Sequence, residues 1–527
     1  MTWNQETVWI RRWGGVAQGA VPEHIPLGMF SDALNYQILE NGALAPRMGF
    51  DLLMSASSPD GTAVKAIFPA DMDGTTRLLV ATSRNVYEVN PAIGGWTSIY
   101  AIPSGATRRM LFALLNANAG PLVVFGDGNC PLQKWDGTTV SACTGAPVGR
   151  PVAYKNYLAV FNIPGSPGRV QFSALPGDPD TWTSSGVALY VEMQGAVTSA
   201  VPFGGGLVVA TQTRAEFFPG DPQQVLGMAV LSANVGVACH ETVADCGGIL
   251  TWLSQSGVMA WDGGGAFPSA NLSNPDDSAH PEQVSSRIQR DIDKIDWTQI
   301  ADASGVFDPN KQRYLLSTWI QEVAGGFSES RTFAYEFRWR AWHPWSLEAT
   351  ALAMLLDPGT NRTEVIAGTT TGYLRRQGWS RFKDETTPGV YDTYDYWAKS
   401  GAHDLGDPNS EKIFRAITIG SNGTIYPWVT GTRTVLAATI GEFYRTSGGN
   451  ASVISPATGF ILGTSVLGDV ITNPTERYWE KRAPIAMRAK HITWRFFNSG
   501  SDNTVGISAF GISFVPSVKR PILVGKD

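Results

Sequence analysis

Short runs of apolar residues alternate with polar positions along most of this chain, and turn-forming residues separate the runs, as is typical of β-strands. Four such runs follow one another at 64–68, 77–82, 85–89 and 95–100. The same order returns over 109–141, more loosely over 152–173, and again over 197–218 and 249–267. Each repeat predicts one four-stranded sheet.

Tryptophans mark the same period independently. Trp96, Trp135, Trp182, Trp261 and Trp342 follow one another at steps of about 40 residues or about twice that. Four strands per ~40 to 50 residues is typical of a β-propeller, because one blade cannot cover both of its own faces. Further strand patterns occur at 305–317, 331–345 and 351–374. We therefore predict an all-β fold with a β-propeller of about seven blades, with six to eight possible.

The period is lost after residues 382–389, although strand patterns continue at 413–419, 425–429, 485–497 and 505–514. Two-sheet packing is the ordinary solution for such strands, so they predict a β-sandwich. The predicted organisation is an N-terminal arm over 1–58, the propeller over 59–385, the sandwich over 386–516 and a C-terminal arm over 517–527.

One short helix is predicted near 281–295. Pro281 suits a first helical turn, and His280 or Ser278 could cap it. Apolar residues at 284, 288, 292 and 295 share one face at helical spacing. This stripe must dock either on its own domain or on a neighbouring subunit.

Composition agrees with many short strands and tight turns. The 527 residues include 57 Gly and 32 Pro, and only 16% are charged, against about 25% in typical domains. With 18 Trp, 23 Phe and 15 Tyr, the chain is too aromatic to be disordered.

A net charge of −6 and a pI near 5.6 give no overall attraction for nucleic-acid phosphates or anionic membranes. The pairs Arg11-Arg12, Arg108-Arg109 and Arg375-Arg376 are isolated, so we interpret them as solvated surface. The first residues lack a secretory signal pattern, and no run of about 18 apolar residues occurs. The sequence thus predicts a protein without membrane insertion.

No catalytic motif is found. The serine elbow G-x-S-x-G, the zinc motif H-E-x-x-H, a Walker-type phosphate loop and a dinucleotide-binding G-x-G-x-x-G after a strand are all missing from the sequence. The triplets Gly204 to Gly206 and Gly263 to Gly265 fall between strands, which favours hairpin loops. We therefore predict no enzyme activity, no catalytic or cofactor-binding residue and no cofactor.

Metal binding is also not predicted. The four cysteines, Cys130, Cys143, Cys239 and Cys246, form no CxxC pair, and the Cys239-His240 pair with Asp245 and Cys246 lacks a fourth ligand. The stretches Asp71 to Gly74 and 404–407 resemble half of a calcium loop without the later bidentate glutamate. Turn chemistry is the favoured interpretation of both.

Three stretches carry a family resemblance. Residues 33–50 contain Asn35, Gly42, Leu44, Arg47 and Gly49 in the pattern N-x-x-…-G-x-L-x-x-R-x-G. Residues 170–182 contain a Ser, Pro and Trp strand and loop, and residues 335–342 with 366–374 form a late-blade pattern. In this order, and covering most of the chain, they resemble the tail nozzle and tail tubular (hub) proteins of short-tailed bacteriophages.

The resemblance implies a structural component of the virion tail, assembled in the host cytoplasm. It implies a ring of identical subunits, expected to number six, that extends the DNA-ejection channel below the portal and adaptor. The implied partners are the tail adaptor and other portal-proximal proteins, tail fibres, and viral DNA that passes through without specific binding. An acidic wall suits this role, because each phosphate contact would add affinity and slow passage.

Two other classes of function stay open. A receptor- or glycan-binding tail protein would use exposed Trp and Tyr side chains as sugar platforms. A propeller-type polysaccharide depolymerase would need carboxylates that converge in the propeller mouth, which a sequence alone does not show because only the fold brings them together.

Overall fold

A computed structural model describes residues 5–103, 109–184, 187–223, 227–263, 281–322, 326–357, 362–378, 383–405, 412–422, 443–445, 453–454, 478–489, 492–498, 507 and 509–516. Within these ranges nearly all regular elements are strands in antiparallel sheets. None of the helices found there is long and apolar enough to cross a membrane. The predicted all-β class is confirmed.

Seven sheets form the blades of a β-propeller, numbered here in chain order. Blade 1 contains Val64–Met72, Thr75–Thr82, Asn85–Asn90 and Gly95–Ala101. Blade 2 contains Leu111–Ala117, Gly120–Gly126, Gln133–Trp135 and Val140–Ala142. Blade 3 contains Arg150–Tyr154, Tyr157–Phe161, Arg169–Phe172, Thr183–Ser184 and Val187–Glu192. Blade 4 contains Ser199–Phe203, Gly206–Ala210, Ala215–Phe218 and Ala229–Ser232.

The remaining blades follow the same plan. Blade 5 contains Ala244–Asp245, Leu250–Ser254, Gly257–Trp261 and Glu282–Gln283. Blade 6 contains Ser304–Asp308, Arg313–Gln321, Ser328–Glu336 and Ala341–Trp345. Blade 7 contains Ala351–Asp357, Arg362–Gly368 and Leu374–Gln377. Its fourth strand is Phe50–Leu52, which pairs antiparallel with Leu374–Gln377.

Apolar side chains close the blades into a ring. Among the described residues, seven hydrophobic clusters join consecutive blades, including one that joins blade 7 to blade 1 through Ile366 and Val80. The cluster at blades 5 and 6 continues into the sandwich. Stacked rings mark the first of these interfaces, where Phe68 and Phe112 lie 5.5 Å apart. Because every blade covers a face of its neighbour, the period of the sequence corresponds to a closed seven-bladed propeller.

Strands from both ends of the chain build the second unit. One sheet contains Glu6–Ile10, Ala509–Pro516, Lys412–Asn422 and Tyr478–Ala489 in that order. A second sheet contains Phe30–Leu34, Tyr396–Ser400 and Arg495–Asn498. Shorter pieces are Tyr36–Ile38 with Leu44–Pro46, Lys383–Thr387 with Val390–Thr393, and Phe443–Arg445 with Val453–Ile454 and Ile492–Thr493.

The two larger sheets of this unit pack face to face as a β-sandwich. Phe496 of one sheet meets Phe510 of the other with ring centroids 5.3 Å apart. Trp13 stacks on Phe30 and donates its indole N–H to the carbonyl of Ile507. The predicted sandwich is confirmed, and residues 5–52 add strands both to it and to blade 7. The predicted C-terminal arm, 517–527, lies outside the described residues.

The predicted helix near 281–295 is shorter than its pattern suggests. The helical residues are Ser286–Ile288, a 3₁₀ turn, and Gln289–Ile292, an α-turn. Glu282–Gln283 instead pairs with blade 5, so its backbone hydrogen bonds go to a sheet. The apolar stripe docks on its own chain, where Ile288 and Ile292 lie in one cluster with Trp342. Other 3₁₀ turns are Pro22–His24, His240–Thr242 and Trp297–Asp302.

Candidate functional site

The residues of the Asn35 to Gly49 motif lie in a buried joint between the propeller and the sandwich. Asn35 has a left-handed backbone with φ 58°, a conformation that asparagine tolerates better than most residues. Its amide oxygen accepts from Arg47 Nε at 2.9 Å and from the Ser346 backbone N–H at 2.8 Å. Its amide nitrogen donates to the carbonyl of Asp395. One side chain thus ties three separate segments.

Arg47 supplies the charge of this joint. Its side chain is fully buried and forms a bidentate ion pair with Asp384. The guanidinium lies 3.8 Å from the ring centroid of Tyr394. Burial alone would lower the pKa of Arg47, but Asp384 and Tyr394 outweigh that effect and raise it. We call Asn35, Arg47, Asp384 and Tyr394 the junction latch.

Two glycines of the motif are fixed by geometry. Gly42 has φ 80° in the turn between Tyr36–Ile38 and Leu44–Pro46. A Cβ on Gly49 would overlap the carbonyl oxygen of Lys383, so the chain passes there only without a side chain. The motif is therefore a structural signature of the joint.

A second polar set lies next to the latch, against blade 6. Arg313 is buried, pairs with Asp308 at 3.0 Å and donates to Gln377 Oε1 at 2.6 Å. Burial raises the pKa of neighbouring Glu336 to about 7. Burial, with the charge of Arg313, lowers the pKa of His343 to about 3. The arginine is thus paired with one close carboxylate, and burial disfavours the charged forms of Glu336 and His343 beside it.

The propeller axis holds a third polar set. The first strand of each blade lies at the edge of its sheet, and the first strands of most consecutive blades contact one another around the ring. Side chains at or just before the starts of these strands meet there. We call them the central cluster: Lys65, Arg109, Arg150, Ser199, His240, Glu241, Asp302 and Thr350, with every blade represented.

Bonds within the central cluster join blades that are not neighbours. Arg109, before blade 2, donates to the carbonyl of Ala303 at 3.0 Å and to those of Asp302 and Thr350, before blades 6 and 7. Lys65 of blade 1 pairs with Asp302 at 2.8 Å. Such bonds can form only through the centre of a ring. The cluster therefore closes one end of the propeller's own axis.

The same cluster links blades 3, 4 and 5. Arg150 forms an ion pair with Glu241. Burial pushes the pKa of Glu241 upward, but Arg150 and Arg109 reverse the effect and lower it to about 2. Ser199 Oγ lies 3.0 Å from His240 Nδ1, and burial with Arg150 lowers the pKa of His240 to about 4.

These groups are poorly placed for catalysis. Ser199 is 2% exposed, so substrate could not approach the serine–histidine pair that nucleophilic catalysis would require. A general acid needs a pKa near the working pH, whereas Glu241 is held far below it. The arrangement is suited to holding blades together.

The two cysteines of the sequence-based metal candidate contact different acceptors. Cys239 Sγ donates to Glu241 Oε2 at 3.0 Å, and Cys246 Sγ contacts the carbonyl of Ala244. Burial raises the pKa of the Cys246 thiol to about 12. Across the described ranges, no group of three or more His, Cys, Asp or Glu side chains is arranged to hold a metal ion.

The turn assignments hold where the structure describes them. Asp73 and Gly74, with φ 53° and 77°, connect the first two strands of blade 1. Gly204 and Gly205 connect the first two strands of blade 4. Gly264 and Gly265 of the second triplet, and residues 406–407 of the second calcium-like stretch, lie outside the described residues.

The interpretation of the arginine pairs as solvated surface is partly wrong. Arg11, Arg12 and Arg376 are exposed, but Arg109 is 4% and Arg375 5% exposed. Arg108 lies outside the described residues. Arg109 is buried because several carbonyl groups at the propeller axis need a donor. The sequence carries no local signal of this, since the acceptors lie in linkers near 302 and 350.

The described part of the chain has, among its pockets, two clefts that open to solvent. The larger, of about 540 Å³, lies between residues 12–29 and the turn at Ser286 and Arg287. The smaller, of about 340 Å³, is lined by Gln212, Ala238, Gln255, Trp297 and Ile300.

No protein-family model and no curated protein matches the chain. Among solved structures, a chain of the mitotic checkpoint complex is 13% identical, with 63% of this chain and 93% of that chain covered and a TM-score of 0.39. BBS1N in complex with ARL6DN, soaked with lead, is 10% identical, with 63% and 98% covered and a TM-score of 0.37.

Proposed function

We propose that this chain is a non-enzymatic structural subunit of the tail of a short-tailed bacteriophage. In this proposal, six copies form a ring that extends the DNA-ejection channel below the portal and adaptor and docks other tail proteins, fibres included. The subunit belongs to the virion after assembly in the host cytoplasm. Viral DNA passes through the ring without specific binding.

The main support for the proposal is the place of the family-like motif, residues 35–49, in the fold. Its residues Asn35, Arg47 and Gly49 lie in the joint that holds propeller and sandwich together. A ring that bears force during DNA ejection needs subunits whose propeller and sandwich do not move relative to each other. A buried, hydrogen-bonded ion pair between the two units provides this rigidity.

In this proposal the DNA channel does not run through the propeller's own axis. Arg109 and its partners occupy one end of that axis. A bore wide enough for duplex DNA must then lie between subunits. The net charge of −6 favours a wall that does not grip phosphates.

Electron micrographs of the purified full-length chain test this proposal. We expect rings with six-fold symmetry and an open centre between subunits, and duplex DNA that is not retarded by the protein in a gel at physiological salt. Isolated single particles at all concentrations, or strong DNA retardation, would contradict it.

The smaller cleft favours one second candidate, glycan binding. Trp297 is 37% exposed there, and the amides of Gln212 and Gln255 line the same cleft. An indole face with flanking amides is a suitable platform for a sugar ring, since apolar ring faces stack on aromatics and hydroxyls need hydrogen-bond partners.

A glycan array tests the second candidate. Binding that is lost in Trp297→Ala and retained in the control Trp9→Ala, another partly exposed tryptophan, would favour it. An array without hits would dismiss it. A depolymerase finds less support, because the carboxylates Glu241 and Asp302 at the axis are already paired with Arg150 and Lys65.

A further inference from the structure

Phe327 is the most exposed large apolar side chain among the described residues, with a relative exposure of 102%. It directly precedes the strand Ser328–Glu336 at the end of a blade 6 hairpin. A phenyl ring that stays in water buries no apolar surface and so contributes no hydrophobic stabilisation. Large exposed aromatic residues commonly anchor protein interfaces. The exposed ring of Phe327 is therefore suited to insertion into an apolar recess.

The larger outer cleft is such a recess. Trp13, Ala17, Pro26, Leu27 and Met29 are among its lining residues, and its volume of about 540 Å³ exceeds that of one phenyl ring. Leu27 is 44% exposed in it. The cleft therefore offers apolar surface that a single aromatic side chain could cover.

Guanidinium groups border the cleft, and carboxylates border Phe327 together with the lysine and arginine that pair with them. Arg12 and Arg287 line the cleft, and none of its lining residues is acidic. Glu322 and Glu329 flank Phe327, and each carboxylate side chain is 52% exposed although paired with Lys294 or Arg331. Half-exposed carboxylates can still approach a guanidinium, which favours and orients the encounter.

The hairpin end that carries Phe327 and the cleft contact the chain on opposite sides of the turn Gln289–Ile292. Gln321 at the hairpin end donates its backbone N–H to Lys294, beyond the turn Gln289–Ile292, whereas Ser286 and Arg287 precede that turn. Since Phe327 is fully exposed, it does not fill the cleft of its own chain.

We infer that Phe327 of one copy of this chain inserts into the cleft formed by residues 12–29 and Ser286–Arg287 of a second copy. Each copy then gives one ring and receives another. Such a head-to-tail contact closes into a ring when the rotation between copies allows it. The inference rests on the proposed ring and names the contact that would build it.

A disulfide trap tests the contact. Gly326→Cys, an exposed position beside an intact Phe327, combined with Leu27→Cys in one chain should give intermolecular cross-links under mild oxidation, which reductant reverses. Each single variant, and the control pair Ile93→Cys with Leu27→Cys, should stay uncross-linked, because Ile93 is an equally isolated apolar residue of blade 1, 79% exposed. Equal cross-linking in the control pair, or none in the test pair, would overturn the inference.

Self-association measured by sedimentation supplies the second readout. Phe327→Ser should weaken assembly at least about tenfold, as expected for an aromatic anchor, while Ile93→Ser leaves it unchanged. Arg12→Glu should weaken assembly, and Glu329→Arg in the same chain should partly restore it. An intact six-fold ring in Phe327→Ser would overturn this contact and leave the proposed function standing. A dimer that Phe327→Ser dissociates would support the contact and contradict the ring.

Discussion

The propeller and the sandwich of this chain are built from contacts of very different range. Each of blades 1 to 6 forms from strands that follow one another directly, as in blade 1 over Val64–Ala101. In the sandwich, Glu6 pairs with Phe514 and Phe30 with Ser400. Local repeats leave a readable period in the sequence, whereas pairings across nearly the whole chain leave none.

The difference has a mechanical consequence. Because the first 52 residues supply two strands to the sandwich and Phe50–Leu52 to blade 7, neither unit can be completed without the same segment. The junction latch lies within this shared segment. Perturbing it should affect both units, while perturbing a local hairpin should affect one.

The largest expected effect is that of breaking the latch. Arg47→Ala leaves Asp384 buried without its partner, which should cost about 3–5 kcal/mol of unfolding free energy. Urea unfolding followed by tryptophan fluorescence measures this loss of stability. In Arg47→Ala, the propeller and the sandwich should unfold at different urea concentrations.

A half-exposed ion pair provides the matched control for the latch. Arg77 and Glu88 lie 2.7 Å apart with side chains 37% and 27% exposed, so Arg77→Ala should cost at most about 1 kcal/mol. Equal losses in Arg47→Ala and Arg77→Ala would show that the latch does not join the units.

The second largest loss of stability is expected when the Arg109 hydrogen bonds inside the propeller are removed. Arg109→Met removes the donor to Ala303, Asp302 and Thr350 and should cost about 2–3 kcal/mol, because buried carbonyls lose charged partners. Amide hydrogen exchange should accelerate in the first strands of blades 2, 6 and 7 and stay unchanged in the sandwich. Uniform acceleration in both units would contradict an axis-centred role.

Acid should weaken blade 6 through His343. Its pKa of about 3 lies below that of an unfolded histidine, so between about pH 6.5 and 3 the unfolded chain takes up a proton that the folded chain refuses, and stability falls as pH falls. The raised pKa values of Glu336 and Asp32 have the opposite effect, because they favour the folded state as pH falls. Wild type must therefore be compared with a variant that lacks His343.

Comparing wild type with His343→Gln isolates the contribution of His343 to the pH dependence of stability. The destabilisation caused by His343→Gln should be about 2 kcal/mol smaller at pH 5 than at pH 7.5, since wild type alone loses this contribution. Denaturant midpoints at the two pH values measure it. A difference that does not depend on pH would show that His343 titrates normally.

The smallest expected effect is local to one hairpin. Gly204 has φ 58° with open space around its Cα, so Gly204→Ala should cost about 1 kcal/mol through backbone strain alone. Gly227→Ala, also in open space but without a positive φ, is the matched control and should be nearly neutral. Thermal unfolding of both variants checks the pair.

The sequence predicted what depends on neighbouring residues. The seven blades, the Asp73-Gly74 turn and the Gly204-Gly205 hairpin follow from period and turn chemistry. The helix near 281–295 came out shorter because sheet pairing at Glu282–Gln283 competes for the same backbone groups. Local pattern alone does not decide such a competition.

What the sequence did not predict depends on distant residues. Arg109 was assigned to the surface because its acceptors lie about 200 residues further along the chain. Likewise Arg47 was recognised in a motif, but its partner Asp384 stands outside that motif. Burial of a charge is determined by the partner that the fold supplies, and only the assembled propeller and sandwich bring these partners together.

A density map of the assembled full-length chain tests the central claim most directly. We predict a six-fold ring whose open channel lies between subunits, with the axis of each propeller blocked by Arg109 and Arg150. A monomer, or a channel that runs through the centre of a propeller, would contradict the account.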